Sequence, residues 1–292
     1  MASGGKPLTI IFEGQTYDVT HFEHPGGKEI LEQYNGTDVS EVMSGDGIHA
    51  HSATAFEMMQ SLSTHDTAPT NGLLDLRKPI VWQLWSINPS KKTYLKHIHR
   101  PQTFKGSARL FENPILELCS RTPWYVVPLV WLPIVALTFH FRQTNLHVVY
   151  GLLLWTWLEY MLHRFIFHLD KHLPSSRVAI LLHFLLHGIH HYLPMDPLRL
   201  VFPPAMAAVL VAILWNLFRL MISFEVGIGM LSGGLLGYVY YDMTHYFLHH
   251  DQPSWVLLQR LKRHHMRHHY QDHHRGYGIT STFWDRIFGT MP

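Results

Sequence analysis

Ten of the chain's 25 histidines fall into four tight groups, and any fold it adopts must bring those groups together. They are His163 with His168, His187 with His190 and His191, His245 with His249, and His265 with His268 and His269. Imidazole is the commonest metal ligand, and side chains three or four apart on a helix share one face. HGIHH (187–191) and HHMRHH (264–269) can therefore aim several ring nitrogens at one point, and the four groups read as a nitrogen-ligated, two-metal site. His163 and His168 fit less simply, because a separation of five swings the second ring off the first ring's face at 3.6 residues per turn. A helix end or a π-bulge between them would restore convergence.

The apolar residues, 47% of the chain, are spread unevenly. Residues 123–141 (PWYVVPLVWLPIVALTFHF) run for 19 positions without a charged side chain, and apolar stretches follow at about 146–161, 205–222 and 224–241. Four transmembrane helices are expected, with a buried helical hairpin of a soluble protein as the competing reading. Gly227, Gly229, Gly233, Gly234 and Gly237 suit close helix packing, and Arg219 near the third span's end can snorkel. Trp124, Tyr125, Tyr160, Tyr240 and Tyr241 stand at span ends, where interfacial aromatics belong. Short connections, Arg142 to Asn145 and Ser223, place two turns on one side of the bilayer. Every histidine group then falls on the other side, together with both termini.

A net charge of +2 gives no polybasic surface and speaks against a nucleic-acid partner; Lys91, Lys92, Lys96 and Arg100 suit lipid headgroups. The single Cys119 excludes an intrachain disulfide, and the polar start MASGGKPLT shows no cleavable signal peptide. The segment from Leu73 to Leu116 is amphipathic and aromatic-rich, fitting either a membrane interface or a packed helical connector. Residues 63–70 (STHDTAPT) read as a linker.

YDVT (17–20), HPGG (24–27), GTD (36–38) and HS (51–52) together resemble a cytochrome b5-type haem domain. The resemblance implies haem b ligated on opposite faces by His24 and His51. His49 is a competing second ligand, and the HSATA context favours His51. Phe22, Leu31, Phe56, Met59 and Leu62 would line the crevice. Two imidazole ligands leave no open iron position, so such a haem carries electrons rather than dioxygen. The segment that precedes the first strand in that family is nearly absent here, which loosens one edge.

LEYMLHRFIFH, HFLLHGIHHYLPMD, RLVFPP, YYDMTHYFLHH, HHMRHHY and GITSTFWDRIFGT, with LLDLRKP, HRP and GSARLFEN before them, look like a fatty acid 2-hydroxylase of the fatty acid hydroxylase and sterol desaturase superfamily. The resemblance covers most of the chain. It implies a small α+β haem domain (1–65), a linker with interfacial helices (66–122), and an all-α membrane domain (123–292) with about four transmembrane helices and a cytosolic, histidine-rich dimetal cap. Two non-haem metal ions would be held by His163, His168, His187, His190, His191, His245, His249, His265, His268 and His269. Iron is expected for activity, and zinc is equally suited to an all-imidazole set. His183, His250, His264, His273 and His274 would be supporting or surface groups. Tyr241 and Asp242 are candidates for positioning the substrate, although capping or helix packing explains them equally well.

Oxygen insertion into an unactivated C–H bond exceeds what side chains can drive, so a redox metal must carry it. The implied reaction is O2-dependent hydroxylation at C2 of a long-chain fatty acid, fatty acyl-CoA or ceramide. Electrons would come through the fused haem from an NAD(P)H-cytochrome b5 reductase, since no dinucleotide fingerprint is present. The implied location is the endoplasmic reticulum membrane. Alternatives are a sterol C4 oxidase or desaturase of the same superfamily, and a membrane-anchored haem electron carrier.

Overall fold

The computed structural model describes residues 7–44, 51, 53–60, 62, 73–102, 104 and 106–292. The linker expected at 63–70 and the competing haem ligand His49 lie outside the described residues.

Strands β1 (Thr9–Phe12) and β2 (Gln15–Asp18) pair antiparallel, Thr9 opposite Asp18 and Phe12 opposite Gln15. Between them Glu13 (φ 49°) and Gly14 (φ 76°) both take positive φ, as the two-residue hairpin that matches strand twist requires. Strand alternation buries Ile10 and Phe12. They share one core with Tyr17, Val19, Leu31 of α1 (Lys28–Gln33), Val39 before α2 (Ser40–Ser44), and Met59 of α3 (Ala53–Gln60). Phe22, Phe56 and Leu62 pack at its edge, where the sequence placed a crevice.

The segment after the linker is a packed connector with an apolar outer surface. Asn88, in the left-handed region, ends α4 (Ile80–Ile87), and the Ser90 side chain caps α5 (Lys91–Ile98) by accepting the Thr93 N–H. Ile80, Leu84, Tyr94 and Ile98 are buried with Ile180 of α9 (Arg177–His183) and with Ile189 and Tyr192 of α10 (Ile189–Tyr192). Trp82 on α4, and Ile115 and Leu118 on α6 (Pro114–Ser120), face outward.

The four apolar stretches form α7 (Val126–His140), α8 (Asn145–Met161), α11 (Pro204–Arg219) and α12 (Phe224–His250). No helix among the described residues is long and apolar enough to cross a membrane. At about 1.5 Å per residue the first three reach roughly 22–26 Å, short of a hydrocarbon core of about 30 Å. The longer α12 dilutes its apolar content with glycines and ends in histidines. Trp124, Tyr125 and Tyr240 are exposed, but Tyr160 and Tyr241, also expected at an interface, are buried. Tyr160 is drawn inward by a 2.8 Å hydrogen bond between its hydroxyl and that of Thr290.

Helices α8 and α12 touch backbone to backbone. A Cβ on Gly151 would overlap the Met230 carbonyl, and one on Gly233 the Val148 carbonyl, so both positions require glycine. This contact aligns α8 with α12, so that His163 and His168 after the end of α8 lie on the same side as His245 and His249 in the last turns of α12. Helices α13 (Val256–Tyr270) and α14 (Phe283–Ile287) complete the cap.

Candidate metal centre and haem site

All ten predicted histidines converge at one end of the helical part, in two groups of five. His163, His168, His187, His191 and His268 form the first; His190, His245, His249, His265 and His269 form the second, and within each group the ligand atoms lie within 4.8 Å of one another. The partition crosses the sequence motifs. HGIHH sends two rings to the first group and one to the second, and HHMRHH sends one to the first and two to the second.

Local backbone explains the convergence. Over Leu162–Phe167 the chain widens into a π-helical turn, and the His168 N–H donates to the His163 carbonyl at 3.0 Å, five residues back. The wider turn returns His168 to the face of His163, as the separation of five demanded. A second π-helical turn, Phe184–Gly188, carries His187 into α10. The second group instead uses regular helices: His245 and His249 are one turn apart on α12, and His265 and His269 one turn apart on α13.

The donor geometry fits metal ions. In the first group Nε2 atoms are separated by 3.2 Å (His163–His187), 3.1 Å (His168–His191) and 3.1 Å (His187–His191). In the second the separations are 2.9 Å (His190–His269), 2.8 Å (His249–His265) and 3.1 Å (His265–His269). Metal–nitrogen bonds of about 2.0–2.1 Å put neighbouring ligand atoms roughly 3.0–3.4 Å apart. A neutral imidazole has one N–H, so rings of mutually facing nitrogens cannot all pair as donor and acceptor, whereas a cation at the centre satisfies every lone pair. Burial pushes all ten below the usual imidazole range, His163 to about 4. The neutral, ligating form is therefore the resting one.

Two first-group rings are fixed from behind. His163 Nδ1–H donates to the Tyr277 carbonyl at 2.6 Å and His268 Nδ1–H to the Arg275 carbonyl at 2.7 Å, leaving each Nε2 as the ligating atom. The loop bearing these carbonyls is itself held by two buried acids. Asp285 accepts from the Tyr277 and Gly278 N–H groups, His264 Nε2 and the Thr290 hydroxyl at 2.8–3.0 Å. Glu159 accepts from the Ile279 and Thr280 N–H groups and the Thr280 hydroxyl. Sequence reasoning gave these acids no role; their signal is a lone carboxylate inside each of the apolar runs LEYML and FWDRIF.

A cavity of about 100 Å³ opens onto His187, His190 and His245 and so reaches both groups. Its other walls are largely apolar, including Phe167, Leu186, Val201, Phe202 and Met206. Tyr241 and Asp242 also line it. The Asp242 carboxylate accepts from the Phe202 N–H and from the Tyr238 hydroxyl at 3.2 Å, which fixes the 201–203 wall.

In the N-terminal part the His24 and His51 rings face each other with centroids 6.2 Å apart. Bonds of about 2 Å to a central ion plus ring radii of about 1.1 Å give roughly 6 Å, so the pair is spaced for one iron between two imidazoles. Gly26 donates its N–H to His24 Nδ1 at 3.0 Å, and a Cβ there would meet that ring at 2.9 Å. Gly27 packs against the Gln252 side chain, placing the HPGG turn beside the end of α12, three residues beyond His249.

This architecture joins a small module with two facing imidazoles to a helical domain whose buried histidine groups are compatible with a metal centre. Residues 148–290 match the family model described as fatty acid hydroxylase, and residues 2–71 match that of the cytochrome b5-like haem/steroid binding domain. The chain is 35% identical to the Schizosaccharomyces pombe protein named ceramide very long chain fatty acid hydroxylase scs7, over 98% of this chain and 94% of that one. It is 42% identical to the Arabidopsis thaliana dihydroceramide fatty acyl 2-hydroxylase FAH2, over 75% and 93%, and 33% identical to the human fatty acid 2-hydroxylase, over 94% and 88%. A solved structure titled full length scs7p, with only the hydroxylase domain visible, superposes with a TM-score of 0.72 at 42% identity, covering 75% of this chain and 85% of that one. The chain belongs to the fatty acid hydroxylase family and carries an N-terminal cytochrome b5-like domain.

Proposed function

We propose that this chain is a fatty acid 2-hydroxylase of sphingolipid synthesis, introducing one oxygen atom of O2 at C2 of a long acyl chain. The observation that carries this reading is the apolar cavity that ends on His187, His190 and His245, where both imidazole groups meet it. The balanced reaction converts C–H, O2, two electrons and two protons into C–OH and water. Two metal ions, iron for turnover, would supply the oxidising power, and haem b between His24 and His51 would relay electrons singly.

The chain's own residues do the rest. The ten histidines hold the ions, while Tyr277 and Arg275 orient two of the rings. The apolar wall admits the acyl chain and excludes water. Tyr241 and Asp242 are positioning residues: with Phe202 they shape the cavity wall that sets how far the chain's head lies from the reacting carbon. The fungal and plant relatives are named for ceramide or dihydroceramide and the mammalian ones for fatty acid, so free acid, acyl-CoA and ceramide all stay as acyl carriers in this reading.

The helices α7, α8, α11 and the 224–241 part of α12 are proposed to sit in the endoplasmic reticulum membrane, with the histidine cap, including the last turns of α12, and both termini in the cytosol. Exposed Leu129, Leu137, Leu153, Val209, Ile213 and Leu217 give them an apolar outer surface suited to lipid. A cytochrome b5 reductase using NAD(P)H would feed the haem, and the contact of Gly27 with Gln252 supports direct transfer within one chain.

The test is lipid mass spectrometry of cells lacking their own hydroxylase. The intact chain is expected to restore 2-hydroxylated sphingolipids and His190→Ala to abolish them. A haem-loaded, membrane-bound intact chain that yields none would overturn the assignment.

A further inference from the structure

Beside the first histidine group lies a third set of metal-type ligands that the two-metal reading leaves unused. Asp170 sits in the short turn after the first π-helical turn, with its side chain 4% exposed. Among the described residues only His183 comes within donor range of this carboxylate, at Oδ1, and Oδ2 has no hydrogen-bond partner. His99 Nε2 stands 3.5 Å from Oδ2, and His183 Nε2 3.1 Å from Oδ1. The ligand atoms of His99, Asp170 and His273 all lie within 4.8 Å of one another. The His99 and His273 rings stack at 3.6 Å with 10° between their planes, which brings both rings to the same carboxylate.

The protonation pattern makes this set unstable as it stands. His99 Nδ1–H donates to the Leu95 carbonyl at 3.0 Å, so its Nε2 carries a lone pair. That lone pair faces the Oδ2 lone pairs of a buried carboxylate with no donor between them. Two acceptors held face to face in a dry site repel each other, and a cation between them turns the repulsion into coordination.

We propose that His99, Asp170 and His273 bind a third divalent transition-metal ion, of the zinc class. Two imidazole nitrogens and one carboxylate oxygen form a borderline-soft donor set suited to that class, and a water can complete a four-coordinate shell. His99 and His273 are only partly buried, so the ion exchanges with solvent. It pins the 271–275 loop to α5 and to the turn at Asp170. That loop supplies the Arg275 carbonyl that holds His268, and Asp170 Oδ2 lies 3.8 Å from His168 Nδ1. The ion thus braces the first histidine group from outside and takes no part in oxygen chemistry.

The experiment loads the full-length, haem-containing protein in detergent with Zn2+, removes unbound ion, and counts metal by mass spectrometry, subtracting haem iron measured optically. The intact chain should hold about three non-haem ions, and His273→Ala and Asp170→Asn about two each. His245→Ala serves as control; if it retains all its metal, the paired-ion reading fails while the third site stands. An unchanged count in His273→Ala and Asp170→Asn overturns the proposal. Loss of two or more ions from both also overturns it, because the residues would then support the pair rather than hold an ion of their own.

Discussion

The two histidine groups solve one problem in different ways. The second is built on regular helix: His245 with His249 and His265 with His269 are one-turn neighbours on α12 and α13, and among the described residues Nδ1 of His190, His249, His265 and His269 has no hydrogen-bond partner, as is true of His168 and His191 in the first. The first gathers rings from two π-helical turns, α10 and α13, and two of them, His163 and His268, are fastened by the Tyr277 and Arg275 carbonyls with Asp285 and Glu159 behind them. Helix spacing aims the second group, whereas the first also ties two of its rings, His163 and His268, to carbonyls of a loop outside the helices that carry them. The first group should therefore depend on residues far from the metal in sequence, and the second on its own helices.

The largest effect should come from the shared cavity end. His187→Ala in the first group and His245→Ala in the second should each abolish 2-hydroxylation, at least a 100-fold loss, and each remove about one ion in metal analysis. Equal residual activity in the two variants would sharpen the comparison, since it shows that neither ion works alone.

Asp285→Asn should separate the groups. Losing the clamp on Tyr277 should weaken first-group metal affinity by about 10–100-fold and leave the second group unchanged, measured by competition with a chelator. An equal loss at both would break the distinction.

His51→Ala should remove the haem absorption band and most hydroxylation supported by NAD(P)H while leaving the non-haem metal count intact. Metal loss in that variant would show that the two parts do not fold independently.

The smallest effect is expected away from both groups. Gly151→Ala forces α8 from α12 and should destabilise by about 1–3 kcal/mol, seen as a lower thermal midpoint with metal still bound at low temperature.

The same contrast explains what could be read in the sequence. Spacings of three and four marked the ligands in HGIHH, His245 with His249, and HHMRHH, and HPGG with HS marked the haem pair, because those motifs are local. The His163–His168 pair was readable only as a demand for a wider turn, which the backbone meets. How HGIHH and HHMRHH divide between two ions was not legible, since it depends on how α10 and α13 approach each other. Glu159 and Asp170 were silent because partners of each lie in distant elements, at separations up to 121 residues, and Asp285 because its nearby partners are mostly backbone N–H groups that no side-chain motif marks. The first and third apolar stretches run past their helix ends, as at Pro123, Trp124, Phe141 and Leu220, whereas the second matches α8 and the fourth stops short of the end of α12; Tyr160 and Tyr241 turn inward for tertiary partners.

The most direct test supplies membranes containing the full chain with ¹⁸O2 and an acyl substrate dideuterated at C2. The account predicts a product that has lost one deuterium and gained one ¹⁸O at C2, absent in His190→Ala. Oxygen placed at another carbon, or the same product from His190→Ala, would contradict it.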